Sequence, residues 1–194
     1  TLTSVNVSRR STQSSPTAGA GLYVDVAASA LATGGFISGG PVVRYSGGNN
    51  LYMARLAFNT SGSIDLTIRK RVSSSETELG TYTLALTHTA GTFYRVRFQV
   101  DGDDLRAKAW AATADEPKSW QLQVTDTDLT GAGSVGVRSI LSSSNTNVNP
   151  EVRYDNLALA NPQILTVTPS VNGITKSHAV GAAVFVVDER AVDA

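Results

Sequence analysis

Tyr94-Arg95-Val96-Arg97-Phe98-Gln99-Val100, then Asp101-Gly102-Asp103-Asp104, then Leu105-Arg106-Ala107-Lys108-Ala109-Trp110 is the stretch whose reading decides the fold. Large apolar and polar residues alternate on both sides of an Asp-Gly turn. A period of two sends one set of side chains to a core and the other to water. An Asp-Gly pair between two such runs is a strong short-range hairpin signal. Ser63-Ile64-Asp65-Leu66-Thr67-Ile68-Arg69 repeats the pattern. The expected core is therefore Tyr94, Val96, Phe98 and Val100, with Leu105, Ala107, Ala109, Ile64, Leu66 and Ile68, and with Tyr82, Leu84 and Leu86 from the strand between.

Outward from that hairpin, strands are expected over residues 22–27, 42–45, 51–58, 63–71, 79–86, 93–100, 105–111, 119–124, 134–140 and 152–159. Gly, Ser, Thr and Asn are abundant between them, which suits many short turns. No segment carries a helical period. The pattern predicts an all-β fold, a two-sheet antiparallel β-sandwich. Gly34-Gly35 and Gly39-Gly40 read as breakers around a short apolar step at Phe36-Ile37. Residues 1–20 are a linker or a first edge strand around 2–7, and residues 21–160 are the sandwich. Asn161-Pro162 marks a boundary. Residues 161–194, turning at Asn172-Gly173, form a small β-hairpin-like tail element, too short to bury a core alone and expected to dock on something else.

The chain has 194 residues, no cysteine, and a formal net charge of zero. Disulfides, thiol nucleophiles and thiolate metal sites are excluded. A nucleic-acid role driven by bulk charge is not expected. No stretch is long and apolar enough to span a bilayer, and no basic segment followed by an apolar run opens the chain. A start at Thr1 rather than Met reads as a processed or excised piece of a longer protein.

The polar members of the alternating strands define a face. Arg95, Arg97 and Gln99 point outward from one strand and Arg106, Lys108 and Trp110 from the next. An indole packs against the C–H face of a sugar, and guanidinium and ammonium groups donate to hydroxyls and carboxylates. Arg97, Arg106, Lys108 and Trp110 are therefore the candidate ligand-binding residues. The same cations also read as a solubilising surface that protects strand edges from pairing. Trp110 and Trp120 also read as parts of a self-packed loop against Pro117, with Trp120 the apolar member of its strand.

Catalytic patterns are sparse. His88 and His178 sit in turn contexts without a carboxylate or hydroxyl at motif spacing, and are expected at the surface. Glu76 and Glu78 are spaced by two but sit at a hairpin turn, and no paired-carboxylate run suited to glycoside hydrolysis is present. The chain is expected not to be an enzyme. No cofactor is expected, although Asp126 and Asp128 with carbonyls of the 142–150 loop form a candidate calcium site.

Two stretches carry a resemblance. The first contains Leu51-Tyr52-Met53-Ala54-Arg55-Leu56-Ala57-Phe58, Ile68-Arg69-Lys70-Arg71-Val72, the two runs quoted at the outset, Glu116-Pro117, Trp120, Gly133-Ser134-Val135-Gly136-Val137-Arg138-Ser139 and Tyr154-Asp155-Asn156-Leu157. It resembles the concanavalin A-like (laminin G-like) jelly-roll domains of actinobacterial proteins and of minor tail proteins of their phages. The second, residues 165–181, is similar to a short β-element that recurs at module ends in phage tail proteins. Pro169 stands where that element usually has arginine. The resemblance implies a virion-tail, extracellular module that binds envelope polysaccharide on a Gram-positive host. Its partners would be a host cell-surface glycan and other virion tail proteins. It would be a homo-oligomer in the assembly, without nucleic acid or membrane insertion. A purely structural spacer or decoration domain is the alternative, and a glycan-cleaving enzyme a third.

Overall fold

The computed structural model describes residues 1–15 and 18–160. The tail element expected over 161–194, with His178, lies outside the described residues. Eleven strands are described: β1 (Arg9–Gln13), β2 (Ala20–Ala28), β3 (Ile37–Ser46), β4 (Asn50–Phe58), β5 (Ser63–Val72), β6 (Ser75–Thr87), β7 (Tyr94–Asp101), β8 (Asp104–Ala111), β9 (Leu122–Thr125), β10 (Ser134–Leu141) and β11 (Val152–Ala160). They build a six-stranded sheet in the order β1-β10-β3-β4-β5-β6 and a five-stranded sheet in the order β11-β2-β7-β8-β9. Every pairing is antiparallel. The two-sheet sandwich anticipated from the alternation is the observed fold.

The apolar faces meet as predicted. Tyr94, Val96, Phe98 and Val100 of β7 pack with Leu22, Val24 and Val26 of β2, and with Tyr52, Leu56, Phe58, Ile64, Leu66 and Ile68 of the opposite sheet. Burial alternates strictly along β7, the signature of a strand with one covered face. β4 departs from this and is buried on nearly every residue, because its outer face is covered as well. Val42, Leu51 and Met53 form a second apolar cluster there, with Tyr45 packed against it.

Four local expectations are corrected. Gly39 and Gly40 do not break the chain but lie inside β3. A Cβ at Gly40 would come within 2.0 Å of the Ala54 carbonyl oxygen, and one at Gly39 within 2.5 Å of the Tyr154 hydroxyl. Glycine serves close approach here, not a turn. The N-terminal strand is Arg9–Gln13, on the edge beside β10, whereas Leu2 is a buried plug whose N–H donates to the Pro150 carbonyl at 2.8 Å. Tyr82 lies across from Leu66 on an edge strand and stays 40% exposed, since half a neighbour's cover is missing there. His88 is buried rather than on the surface, its ring 4.4 Å from that of Phe58. Burial holds its pKa below the ordinary imidazole value.

Arg44 ties one end of the sandwich together. It sits in β3 with φ of +51°, near an irregularity in the β3–β4 pairing. The side chain is buried and donates to three backbone carbonyls: Ala18 at 2.8 Å, Leu129 at 2.5 Å and Gly102 at 2.7 Å. Three separate loops thus share one guanidinium.

Candidate functional site

The four residues singled out from the sequence lie on the outer face of the five-stranded sheet, but not as an open platform. β7 and β8 pair Arg97 with Lys108 and Gln99 with Arg106 across the hairpin. The loop over residues 112–121 then folds back over this face. Gln121 pins it, donating to the Ala109 carbonyl at 3.1 Å and accepting the Ala109 N–H at 2.8 Å. Glu116 descends between the cations, 2.6 Å from Arg97 and 2.8 Å from Lys108. Lys108 also donates to the Pro117 carbonyl at 2.6 Å. The Trp120 ring lies 5.0 Å from the Arg97 guanidinium and 4.9 Å from the Lys108 ammonium. Trp120 is therefore a lid on this face rather than a core residue of its strand, which begins only at Leu122.

Lys108 is 4% exposed and Trp110 6%, so the expectation that both face solvent is corrected. Arg97 is neutralised by Glu116. Arg106 remains part-exposed, with Asp104 at 3.4 Å. Beside them Arg95 makes a two-pronged contact with buried Asp25 at 2.6 and 2.7 Å, and Asn156 donates to the same carboxylate at 2.8 Å. Those bonds outweigh burial and hold the Asp25 carboxyl below its usual range. On this face each of these cations meets a carboxylate, with Arg97 and Lys108 sharing Glu116.

The outer face of the six-stranded sheet differs. Strand parity sends Arg69 and Arg71 of β5 outward, as read from the sequence. Arg55 of β4 and Arg138 of β10 join them. Arg138 lies opposite Gly40 of β3, the strand between β10 and β4. Glycine there presents no side chain to hold the two arginines apart. Glu76 and Glu78 are not in a turn, since β6 begins at Ser75 and carries both onto this face. Glu76 accepts from Arg69 Nε at 2.6 Å and from Arg138 Nη1 at 2.8 Å. Arg55 and Arg71 stand 3.8 and 3.9 Å from the same carboxylate. Glu78 accepts from Arg69 at 2.7 Å. Four guanidiniums thus surround two carboxylates.

A cavity of about 470 Å³ opens over this cluster, lined by Arg55, Arg71, Glu76 and Arg138 together with Phe36 and Ile140. Arg138 is 1% exposed, and its Nε and Nη2 have no hydrogen-bond partner among the described residues. The same holds for Nε of Arg55, Nε of Arg71 and the buried Oγ1 of Thr67, which pairs across from Arg55. Burial and the neighbouring Arg69 charge push the Arg55 pKa down to about 10, against the pull of Glu76. Burial would raise the Glu76 pKa, but Arg138 and Arg69 more than offset it and hold the carboxyl below its usual range. Buried donors without acceptors are rare and costly in folded proteins, and three of the arginines that carry them here, Arg55, Arg71 and Arg138, line one hollow.

Sequence reasoning did not assemble this cluster. Its signals were Arg55 inside the apolar run 51–58 and Arg138 inside the run 135–141, single cations where a covered face calls for apolar residues. The candidate calcium site is occupied by the protein itself. Lys70 Nζ sits 2.5 Å from Asp126 and 2.6 Å from Asp128, and Tyr52 donates to Asp126 at 2.5 Å. The 142–150 loop packs elsewhere, with Asn145 donating to the Gly35 carbonyl at 2.6 Å.

No protein-family model and no curated protein sequence matches the chain. Solved structures do. The carbohydrate-binding module CBM66 from Bacillus subtilis superposes with a TM-score of 0.55 at 12% identity, covering 78% of each chain. The β-glucanase of Bacillus licheniformis gives 0.53 at 13% identity, over 80% of this chain and 71% of that one. The CBM2 module of the evolved Dit protein of Lactobacillus casei BL23 phage J-1 gives 0.52 at 9% identity, over 78% and 67%. At such identities the likeness speaks for architecture alone, and with the strand order it establishes that this chain has the concanavalin A-like jelly-roll β-sandwich fold.

Proposed function

We propose that the chain is a non-enzymatic glycan-binding module of a virion tail or tail tip, attaching to host envelope polysaccharide through the outer face of its six-stranded sheet. The observation that carries this reading is the open cavity lined by Arg55, Arg71 and Arg138, whose guanidiniums carry buried donors without a partner among the described residues. Two of the superposed structures, the CBM66 module and the phage Dit module, are named as carbohydrate-binding modules, which supports a glycan over other ligands. The phage context rests on the resemblance of residues 51–159 and 165–181 to tail-protein modules, and on the likeness to the Dit module. Repeated copies in a tail assembly would turn weak single-site contacts into firm attachment.

Glu76 supports a binding role over hydrolysis. A general acid must hold its proton near neutral pH, with its pKa raised. Glu76 is driven the other way, and its oxygens are already accepting from Arg69 and Arg138. The test is an array of Gram-positive envelope polysaccharides probed with the full chain, alongside an assay for released reducing ends. Retention of a polysaccharide without cleavage is expected. Retention of none would leave the spacer reading, and release of sugar would make the protein an enzyme.

A further inference from the structure

The geometry points to an acidic polysaccharide as the ligand, with one carboxylate- or phosphate-bearing sugar unit seated among Arg55, Arg71 and Arg138 in the cavity over the six-stranded sheet. This rests on the glycan-binding reading above and specifies the charge that the site selects.

Charge comes first. Arg55, Arg69, Arg71 and Arg138 oppose only Glu76 and Glu78 in this cluster, which leaves an excess of two positive charges. On the opposite face Arg95, Arg97, Lys108 and Arg106 each meet a carboxylate. Those four cations face three carboxylates, Asp25, Glu116 and Asp104, an excess of one, so the larger positive excess lies over the six-stranded sheet. A neutral hydroxyl could accept a hydrogen bond here but could not balance the charge.

Donor geometry comes second. The unpartnered donors are Nε of Arg55, Nε of Arg71, and Nε with Nη2 of Arg138, all buried in residues that line the hollow. Adjacent N–H groups of one guanidinium form a fork that fits the two oxygens of a carboxylate or phosphate. Arg138 already spends Nη1 on Glu76 at 2.8 Å. What remains free on it can serve a second anion. Being nearly fully buried, it would act in a low-dielectric setting where such bonds are strongest.

The surroundings suit a sugar. Phe36 and Ile140 line the same hollow, and their apolar surface can take the C–H face of a pyranose ring. Phe36 is braced by the Arg55 guanidinium 4.9 Å above its ring. The cavity of about 470 Å³ falls within the roughly 300–1,000 Å³ of small-ligand sites.

The experiment is a calorimetric and surface-binding titration of the full chain against three polymers: polygalacturonate, which carries carboxylates; a phosphomannan, which carries sugar phosphates; and dextran, which is neutral. Neutral envelope polysaccharides from the array serve as further controls. Binding to at least one anionic polymer is expected, with dextran at least tenfold weaker, and the anion that binds names the group recognised. Arg71→Gln and Arg138→Gln should each weaken that binding tenfold or more, while Arg106→Gln, on the other sheet, should not. Melting curves check each variant, and Arg71, at the cavity margin, keeps the test valid should Arg138→Gln fail to fold. Equal binding of neutral glycans overturns this inference but leaves the glycan-binding reading standing. Anionic binding unmoved by Arg71→Gln overturns it too, as bulk attraction. Binding of no polysaccharide at all overturns both.

Discussion

Replacing Arg44 should show how one buried cation holds three loops. Its guanidinium donates to Ala18, Leu129 and Gly102 carbonyls at 2.5–2.8 Å. A hydrogen bond to a charged group contributes about 1.5–3 kcal/mol net, and a buried acceptor left unmade costs about 1–3 kcal/mol. Burial also lowers the Arg44 pKa, with Asp103 and Asp101 pulling the other way, so removing the charge returns part of its desolvation cost. Balancing these, Arg44→Ala should destabilise by about 3–4 kcal/mol. In a domain of this size that corresponds to a drop of roughly 6–16 °C in Tm. The backbone adds a second, opposite-signed test. With φ at +51°, alanine keeps the left-handed strain of about 1–2 kcal/mol whereas glycine relieves it. Arg44→Gly should therefore be about 1 kcal/mol more stable than Arg44→Ala. Urea unfolding read by tryptophan fluorescence is suitable, because Trp110 and Trp120 both report on the opposite sheet's packed loop. A loss below about 1 kcal/mol for alanine would mean that the three bonds do not act together. Glycine less stable than alanine would refute the strain argument.

Three further outcomes are expected. Glu116→Gln removes the shared partner of Arg97 and buried Lys108; a loss of about 1–2 kcal/mol is expected, with Trp120 fluorescence shifted to the red as the loop loosens, and an unchanged spectrum would count against the loop's electrostatic anchoring. His88 has a pKa lowered by burial, so below about 6.5 the unfolded chain takes up a proton that the folded chain resists. Stability should fall as pH drops from 7.5 to 5.5, and His88→Leu should flatten that part of the profile; an identical slope in the variant would exclude His88 as the cause. Because the Lys70 ammonium already sits between Asp126 and Asp128 where a calcium ion would have to go, adding millimolar calcium or EDTA should leave the melting temperature unchanged. A calcium-dependent rise would show that the ion displaces the lysine.

The alternation in β5, β7 and β8 was legible because a strand with one covered face must repeat every second residue. Parity also placed Arg69, Arg71, Arg97, Arg106, Lys108 and Trp110 on the correct sides. It could not say what covers a face. Lys108 and Trp110 point outward by parity and are still buried, since the 112–121 loop returns over them and Glu116 meets the two cations. Gly39 and Gly40 read as breakers because composition does not distinguish a turn from a close approach of two backbones.

Order along the chain determined the β class, the sheet-forming runs, the apolar interior and the exclusion of thiol chemistry. Those properties are local, fixed by neighbours one or two residues apart. The binding hollow is not local. Arg138 reaches Glu76 across 62 residues, and Arg55, Arg71 and Arg138 converge only because β10, β3, β4, β5 and β6 lie side by side in that order. Strand order decides which cations share carboxylates and which are left in excess, because charges interact through space and not along the sequence.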